Sequence, residues 1–239
     1  MTSPDTSRRC LVVLPTYQER ENIRAMIAAV LAASPRADVV VVDDGSPDGT
    51  GALVSSLRAT DQRIALVSRS GKLGLGTAYV AGFRFGLDAG YDAIATMDAD
   101  GSHDPAVLPA MLAHLDAADA DLVIGSRYAP GGTVENFSAA RKLNSAVANA
   151  VARALLGLRV RDCTSGFRLY SSALLRRMRL DALKSTGYSM VPELLYEAAS
   201  SGARIVEVPI AFRNREKGVS KVTITEILSW MRTVAALRR

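Results

Sequence analysis

Two carboxylates on alternate residues, Asp98 and Asp100, directly follow the apolar run Ala93–Met97. Paired carboxylates at the end of a strand are suited to bind one hard cation. Mg²⁺ and Mn²⁺ both prefer oxygen ligands, and bound Mg²⁺ usually keeps waters and takes further ligands from substrate phosphates. Ser102 adds a hydroxyl oxygen, able to act directly or through water. Alternating aspartates are common in proteins, so the predicted Mg²⁺ or Mn²⁺ site also depends on what surrounds it.

Further polar residues follow three other apolar runs, at the points where we expect strands to end. They are Pro15–Glu19, Asp43–Thr50 and Gly125–Arg127. Ligands of an open α/β sheet bind beyond the carboxyl ends of its strands, so these groups are expected to share one edge with Asp98 and Asp100. Taken singly, Asp43 and Asp48 also suit turn or cap positions, and Tyr17 suits the border of a core. Their convergence on one edge favours a binding site.

Other catalytic patterns are absent from the sequence. Gly71-Lys72 is followed by Leu73 rather than Ser or Thr, which excludes a Walker motif, and the nearby glycines are in the wrong order for a dinucleotide fingerprint. No Ser/His/Asp triad is evident, and two histidines exclude a His-rich metal site. His103 lies beside the acidic residues, where a hydrogen-bonding loop histidine and a catalytic histidine are both compatible with the sequence.

The elements that carry these residues alternate between strand and helix through the first half of the chain, which predicts a mostly parallel α/β sheet flanked by helices. The predicted strands are Cys10–Leu14, Val39–Val42, Ile64–Val67, Ala93–Met97 and Asp121–Ile124, and the helices between them are Glu19–Ala33, Asp48–Leu57, Ala78–Leu87 and one opened by Asp104-Pro105. The second half is less regular. It is predicted to contain helices at Ala139–Leu156 and Met190–Ala199, strands at Ser165–Tyr170 and Arg204–Phe212, a charged loop at Arg213–Lys221 and a final helix at about Thr223–Leu237.

The order of these motifs resembles glycosyltransferase family 2, and within it the dolichol-phosphate and polyprenol-phosphate mannose synthases. The matching segments are Pro15–Glu19, Val42–Thr50, Met97–Asp100, Gly125–Tyr128 and Arg213–Lys221. The resemblance extends from about Leu11 to Lys221. It implies a GT-A fold over residues 1–221, with a donor and metal half at about 10–130 and an acceptor half at 131–221. The apolar and basic residues of 222–239 themselves predict an amphipathic helix, which would either lie at a membrane surface or pack on the sheet.

The resemblance also implies transfer of mannose from GDP-mannose to a polyprenyl or dolichyl monophosphate, with inversion at the anomeric carbon. On the donor side it assigns the guanine–ribose end to Pro15, Tyr17 and Glu19, with Val42 and Asp44 beside the base. It assigns the ribose, diphosphate and metal to Asp98, Ala99 and Asp100, with Ser102 where some relatives carry Gln. Arg215 and Lys221 would close over the donor and, with Asp100, act as catalytic residues. Arg127 would face donor or acceptor phosphate, and Arg141 and Ser145 would receive the lipid phosphate.

Charge is distributed unevenly along the chain, whose formal net charge is +5. Residues 1–130 carry 11 Lys or Arg against 16 Asp or Glu, and residues 131–239 carry 18 against 8. An acidic half suits a cation and a basic half suits a lipid phosphate at an anionic membrane surface. The final helix is shorter than the roughly 20 residues of a membrane span. We therefore expect peripheral attachment to the cytoplasmic face of a membrane, through this helix or a separate membrane protein.

Three other functions are compatible with parts of the sequence. The same fold could use another donor, such as UDP-glucose, because the residues that face the sugar hydroxyls are not identifiable. A nucleotidyltransferase also uses paired aspartates and metal. A basic module that binds nucleic acid or an anionic surface would explain the positive half. However, aromatic residues make up only 5% of the chain and no nucleic-acid motif is present, so we expect no nucleic-acid partner.

Overall fold

The computed structural model describes residues 8–135 and 139–213, with side chains in the second range for 145–154 and from 157 onward. Within these residues a seven-stranded sheet has the order β3-β2-β1-β4-β7-β5-β8. Its strands are β1 (Cys10–Thr16), β2 (Ala37–Asp43), β3 (Ile64–Ser68), β4 (Ala93–Thr96), β5 (Leu122–Ser126), β7 (Arg168–Ser171) and β8 (Ile205–Pro209). Strand β7 runs antiparallel to both β4 and β5, and the other pairs are parallel. The predicted, mostly parallel sheet is confirmed.

Helices cover both faces of the sheet, which explains the continuous apolar runs in its central strands. Along β1, Val12 and Leu14 belong to one hydrophobic core, and Leu11 and Val13 belong to the other. The helices are α1 (Ile23–Ala33), α2 (Thr50–Arg58), α3 (Leu75–Asp88), α4 (Leu108–Asp116), α5 (Ala139–Leu156), α6 (Ser172–Arg177) and α7 (Met190–Ser200). Buried side chains of α1, α2 and α4 belong to the first core, and those of α3, α6 and α7 belong to the second.

Close packing of α3 on the sheet depends on a glycine. A Cβ atom on Gly82 would collide with the side chain of Val13 in β1. Gly82 therefore allows the helix backbone to approach the central strand. The loop before α3 lies beside the carboxyl end of β2, where the backbone nitrogens of Leu73 and Gly74 donate to Asp44.

The second half differs from its prediction in three places. The expected strand at 165–170 is shorter and shifted to β7, which begins at Arg168 and ends at Ser171. Ser165 lies before it and donates its hydroxyl to the carbonyl of Gly125. The expected strand at 204–212 divides into β8 and β9 (Ala211–Phe212), and β9 leaves the main sheet to pair with β6 (Thr133–Val134). Helix α6, capped by the Ser171 hydroxyl, was not assigned a range from the sequence.

The predicted helix Ala139–Leu156 is confirmed with those bounds. The predicted final helix and most of the charged loop lie outside the described residues. Among the residues that the structure describes, none of the helices has the length and apolar character needed to cross a membrane.

Candidate functional site

The predicted polar groups do lie along one edge of the sheet. Parallel strands β1 and β2 end in register at Thr16 and Asp43, and Thr96 at the end of β4 lies opposite Arg168 of β7. Strand β5 ends at the same edge, since Ile124 also lies opposite Arg168. Because β7 is antiparallel, its beginning lies at this edge. The loop that precedes β7 thus joins the site, which strand-end reasoning did not anticipate.

Two of the acidic residues in the Asp43–Thr50 segment shape the backbone. Asp43 accepts hydrogen bonds from Thr16 Oγ1 at 2.9 Å and from the hydroxyl of Ser46 at 2.6 Å. Asp48 accepts from the backbone nitrogen and the hydroxyl of Thr50, and from the backbone nitrogen of Arg20. Burial alone would raise the pKa of Asp48, but these hydrogen bonds hold the pKa below its ordinary value. Asp43 therefore takes the turn role that the sequence left open. Asp48 orders the turn before α2, but the N-cap position of that helix belongs to Gly49 and not to Asp48.

Asp44 anchors the loop that leads into α3. Its carboxylate forms a buried ion pair with Arg69 and accepts hydrogen bonds from the backbone nitrogens of Leu73 and Gly74, each at 3.1 Å. Arg69 in turn donates to Thr77 Oγ1 and to the carbonyl of Gly74. The structure places Asp44 at the expected edge. It also shows that the carboxylate already accepts three groups of the protein.

The same loop brings a cation to the predicted nucleotide end of the site. Lys72 Nζ lies 4.8 Å from the centroid of the Tyr17 ring, within the range of a cation–π interaction. Glu19 lies nearby and accepts from Asn22 Nδ2 at 2.9 Å, while its backbone nitrogen donates to Thr50 Oγ1. Pro15 pairs in register with Val42 on the adjacent strand. The five predicted donor residues of β1 and β2 are thus neighbours, and Lys72 joins them although no sequence motif identified it.

The Asp98–Asp100 turn presents oxygen ligands at the end of β4. The Asp98 side chain is 33% exposed, and Asp100 Oδ1 accepts from the backbone nitrogen of Ser102 at 3.0 Å. Ala99 and Ser102 are buried, and Gly101 supplies the positive φ that the turn requires. No group of three or more His, Cys, Asp or Glu residues suited to a metal occurs in the described part of the chain. Two carboxylates fit Mg²⁺ or Mn²⁺ that takes its other ligands from water and phosphate.

His103 packs in the protein interior beside the Asp98–Asp100 turn. Its ring is buried and packs against Phe167 and Phe212, with ring centroids 5.5 and 5.2 Å away. Burial lowers the pKa of His103 to about 4, so the imidazole is neutral near pH 7 and a weak base. The backbone nitrogen of Asp98 approaches Nδ1 at 3.4 Å. Because the ring is buried and weakly basic, His103 fits the role of a hydrogen-bonding loop histidine better than that of a catalytic histidine.

Arg127, after β5, is held by an acid that the sequence did not identify. Its Nε and Nη2 each donate to the carboxylate of Asp162 at 2.8 Å, and Nη2 also donates to Thr164 Oγ1 at 2.6 Å. Burial favours the neutral form of each partner, but their ion pair dominates, raising the pKa of Arg127 and lowering that of Asp162. Asp162 follows no predicted strand, so the sequence offered no positional signal for it.

Ser145 belongs to the same region. The Tyr128 hydroxyl donates to Ser145 Oγ at 2.7 Å, which joins α5 to the residue after Arg127. Arg141 lies one turn earlier on α5, and its side chain is outside the described residues, as are Arg215 and Lys221. The structure therefore brings Arg127 and Ser145 together, and the binding roles assigned to the site residues remain predictions.

Residues 11–179 match the profile of the family described as Glycosyl transferase family 2. The chain belongs to this family. It is 46% identical over 230 residues to polyprenol monophosphomannose synthase of Mycolicibacterium smegmatis, across 96% of this chain and 86% of that protein. It is 45% identical over 215 residues to undecaprenyl-phosphate mannosyltransferase of Micrococcus luteus, across 90% of this chain and 88% of that protein.

Solved structures confirm the GT-A-like fold of this family 2 member. Glucosyl-3-phosphoglycerate synthase from Mycobacterium tuberculosis, in complex with Mn²⁺, UDP and phosphoglyceric acid, superposes with a TM-score of 0.68 at 22% identity. The match covers 96% of this chain and 77% of that one. At this identity the likeness concerns the fold alone.

Proposed function

We propose that this chain transfers mannose from GDP-mannose to a polyprenyl monophosphate of the dolichyl type, forming polyprenyl-phosphate-mannose and GDP. The observation that carries the proposal is its 45–46% identity, over most of both chains, to two enzymes named for mannose transfer to or synthesis on a polyprenol phosphate. The geometry supports it, because a carboxylate pair and a fixed guanidinium lie along one edge of the sheet.

The donor nucleotide would lie across the ends of β1 and β2. Tyr17 and Lys72 form one wall there. Glu19 would accept hydrogen bonds from ribose hydroxyls. Pro15 and Val42 would flank the base. Asp44 would contribute by holding the Lys72 loop in place, since its carboxylate is already bound to Arg69 and that loop.

The diphosphate would meet Asp98, Ala99 and Asp100, with Ser102 as a further oxygen ligand of the metal. A bound Mg²⁺ or Mn²⁺ ion supplies positive charge that stabilises a departing diphosphate. Asp98 and Asp100 fit such an ion because both carboxylates are half-buried at the site edge. Arg215 and Lys221, as catalytic residues, would add charge to the same phosphates.

The acceptor needs little help from a base. A phosphate monoester is already anionic near neutral pH, which agrees with the weak basicity of His103. Arg127, Arg141 and Ser145 would orient the acceptor phosphate. One of its oxygens forms the new bond to the anomeric carbon as the bond from that carbon to the GDP oxygen breaks, and the bonding electron pair leaves with GDP. A single displacement of this kind inverts the anomeric configuration.

A lipid acceptor requires contact with a membrane. We propose peripheral attachment to the cytoplasmic face, through the basic half of the chain and the segment 222–239. That segment combines Trp230 with Arg232, Arg238 and Arg239, a composition typical of helices that lie in the membrane interface. A separate membrane protein is the alternative anchor.

The proposal is tested by incubating the protein with a polyprenyl monophosphate, Mg²⁺ or Mn²⁺, and either GDP-mannose or UDP-glucose. We expect lipid-linked mannose and free GDP, with the reaction abolished by a chelator. If glucose is transferred and mannose is not, the donor is UDP-glucose and the GDP-mannose proposal is wrong. Release of pyrophosphate instead of a nucleoside diphosphate would indicate a nucleotidyltransferase.

A further inference from the structure

We propose that Asp162 is a positioning residue for the acceptor phosphate, acting through Arg127. The inference rests on the proposed function, because it concerns how the same site holds a phosphate monoester. Asp162 is fully buried, lies 35 residues from Arg127 in the chain, and follows no predicted strand.

The hydrogen bonds leave a defined part of the guanidinium available. An arginine side chain has five N–H donors. Asp162 accepts from Nε and Nη2, and Thr164 Oγ1 accepts from Nη2, so three of the five are used. Nη1 donates to none of the residues that the structure describes. The two N–H groups of Nη1 therefore remain for phosphate oxygens, in an orientation that Asp162 sets.

Asp162 is itself fixed by the sheet. Its backbone nitrogen donates to Glu207 of β8 at 2.9 Å, and the backbone nitrogen of Arg161 donates to the other oxygen of Glu207 at 2.8 Å. The guanidinium carbon of Arg127 also lies 5.3 Å from the centroid of the Phe212 ring. A rigid strand and an aromatic ring thus confine the ion pair, as expected for a group that must be oriented before its ligand arrives.

The same network reaches Ser145, another residue assigned to the acceptor phosphate. Asn149 of α5 donates to the carbonyl of Ser145 at 2.9 Å, and its Oδ1 accepts from the backbone nitrogen of Cys163, next to Asp162. The Tyr128 hydroxyl closes the loop by donating to Ser145 Oγ. Arg127 and Ser145 are therefore positioned by one connected set of hydrogen bonds. This connection favours a role in geometry over a merely local ion pair.

The chain contains a matched control at the other end of β5. Asp121 accepts from the backbone nitrogen, Nε and Nη2 of Arg204 at 3.0, 2.9 and 3.2 Å. Asp162 accepts from the same three nitrogens of Arg127 at 3.1, 2.8 and 2.8 Å. The two pairs share their pattern, but Arg204 is exposed and Asp121 is only partly buried. The control pair also lies at the edge of the sheet remote from the site.

The test compares Asp162→Asn with Asp121→Asn, using farnesyl phosphate as the lipid phosphate and GDP with Mg²⁺ as the nucleotide, both titrated by calorimetry. Hydrogen bonds to charged groups are strong enough that Asp162→Asn should weaken farnesyl phosphate binding about tenfold or more. Its affinity for GDP should stay within about twofold of the unmodified protein, as expected for independent sites. Asp121→Asn should change neither affinity.

A double-mutant cycle separates positioning from a general effect on the fold. If Asp162 acts through Arg127, adding Asp162→Asn to Arg127→Ala should cost less than about twofold in further affinity for farnesyl phosphate. Should Asp162→Asn not fold, Thr164→Val removes one acceptor of Arg127 and one donor to Asp162 while keeping the ion pair. It should weaken farnesyl phosphate binding by roughly two- to fivefold.

Three outcomes would overturn the inference. The first is unchanged farnesyl phosphate binding in Asp162→Asn or, where that variant does not fold, in Thr164→Val. The second is an equal loss of affinity for farnesyl phosphate and for GDP. The third is that Asp162→Asn lowers the affinity for farnesyl phosphate as much in the Arg127→Ala protein as in the unmodified protein. Failure of the unmodified protein to bind farnesyl phosphate would instead refute the proposed acceptor, and this inference with it. The two failures are thus distinguishable.

Discussion

Replacing Asp44 by Asn tests whether the buried pair with Arg69 holds the nucleotide end of the site. The two side chains are only 7% and 9% exposed. The Asp44 carboxylate also accepts from two backbone nitrogens of the loop before α3. An amide at this position has one oxygen acceptor and one NH₂ donor, so the donor would face either the guanidinium or a backbone N–H.

The expected loss of stability follows from the burial of this pair. Removing one partner of a buried ion pair costs about 3–5 kcal/mol, because the other charge is left buried without compensation. For a chain of this size, that corresponds to a fall in melting temperature of roughly 6–20 °C. We also expect weaker GDP binding, since the loop released by the change carries Lys72 over the Tyr17 ring.

The assay is thermal unfolding followed by calorimetric titration of GDP with Mg²⁺. Asp61→Asn is the control, because Asp61 pairs with Arg63 at the surface and should leave both measurements unchanged. An additional Arg69→Met change in the Asp44→Asn protein should restore part of the lost stability by removing the uncompensated charge. A melting temperature for Asp44→Asn within about 2 °C of the unmodified protein would refute the reasoning.

Three further predictions concern the metal, the buried histidine and the membrane. Asp100→Asn should abolish mannose transfer in saturating Mg²⁺ while leaving the melting temperature nearly unchanged, and full turnover would remove Asp100 from the metal site. The pKa of His103 is lowered from 6.5 to about 4, so the unfolded chain binds the extra proton first and stability should fall as the pH drops from 6.5 towards 4. Over this range the melting temperature of His103→Gln should change less with pH than that of the unmodified protein. An identical dependence of melting temperature on pH would contradict the lowered pKa of His103. The full chain should float with anionic liposomes at low salt more than a chain cut after Lys221, and equal flotation would exclude the last segment as the anchor.

The sequence determined the architecture of the donor half through local patterns. Apolar runs such as Val39–Val42 must be covered on both faces, and helices of regular periodicity alternate with them, which leaves a mostly parallel sheet as the arrangement that buries both. Because parallel strands end at one edge, the residues after each run could be assigned to one site before any contact was known. The family resemblance rested on the same strand-end segments.

Only the tertiary structure decided which partners these residues have. Asp44 meets Arg69 across 25 residues, and Asp162 meets Arg127 across 35, so neither pair has a signal in local spacing. Because β7 runs antiparallel between β4 and β5, the loop before β7, which contains Asp162, lies at the edge of the sheet that carries the site. His103 has a low pKa because residues remote in sequence bury its ring. Periodicity and turn chemistry act over a few residues and can be read along the chain, whereas burial and ion pairing depend on which distant segments the sheet order brings into contact.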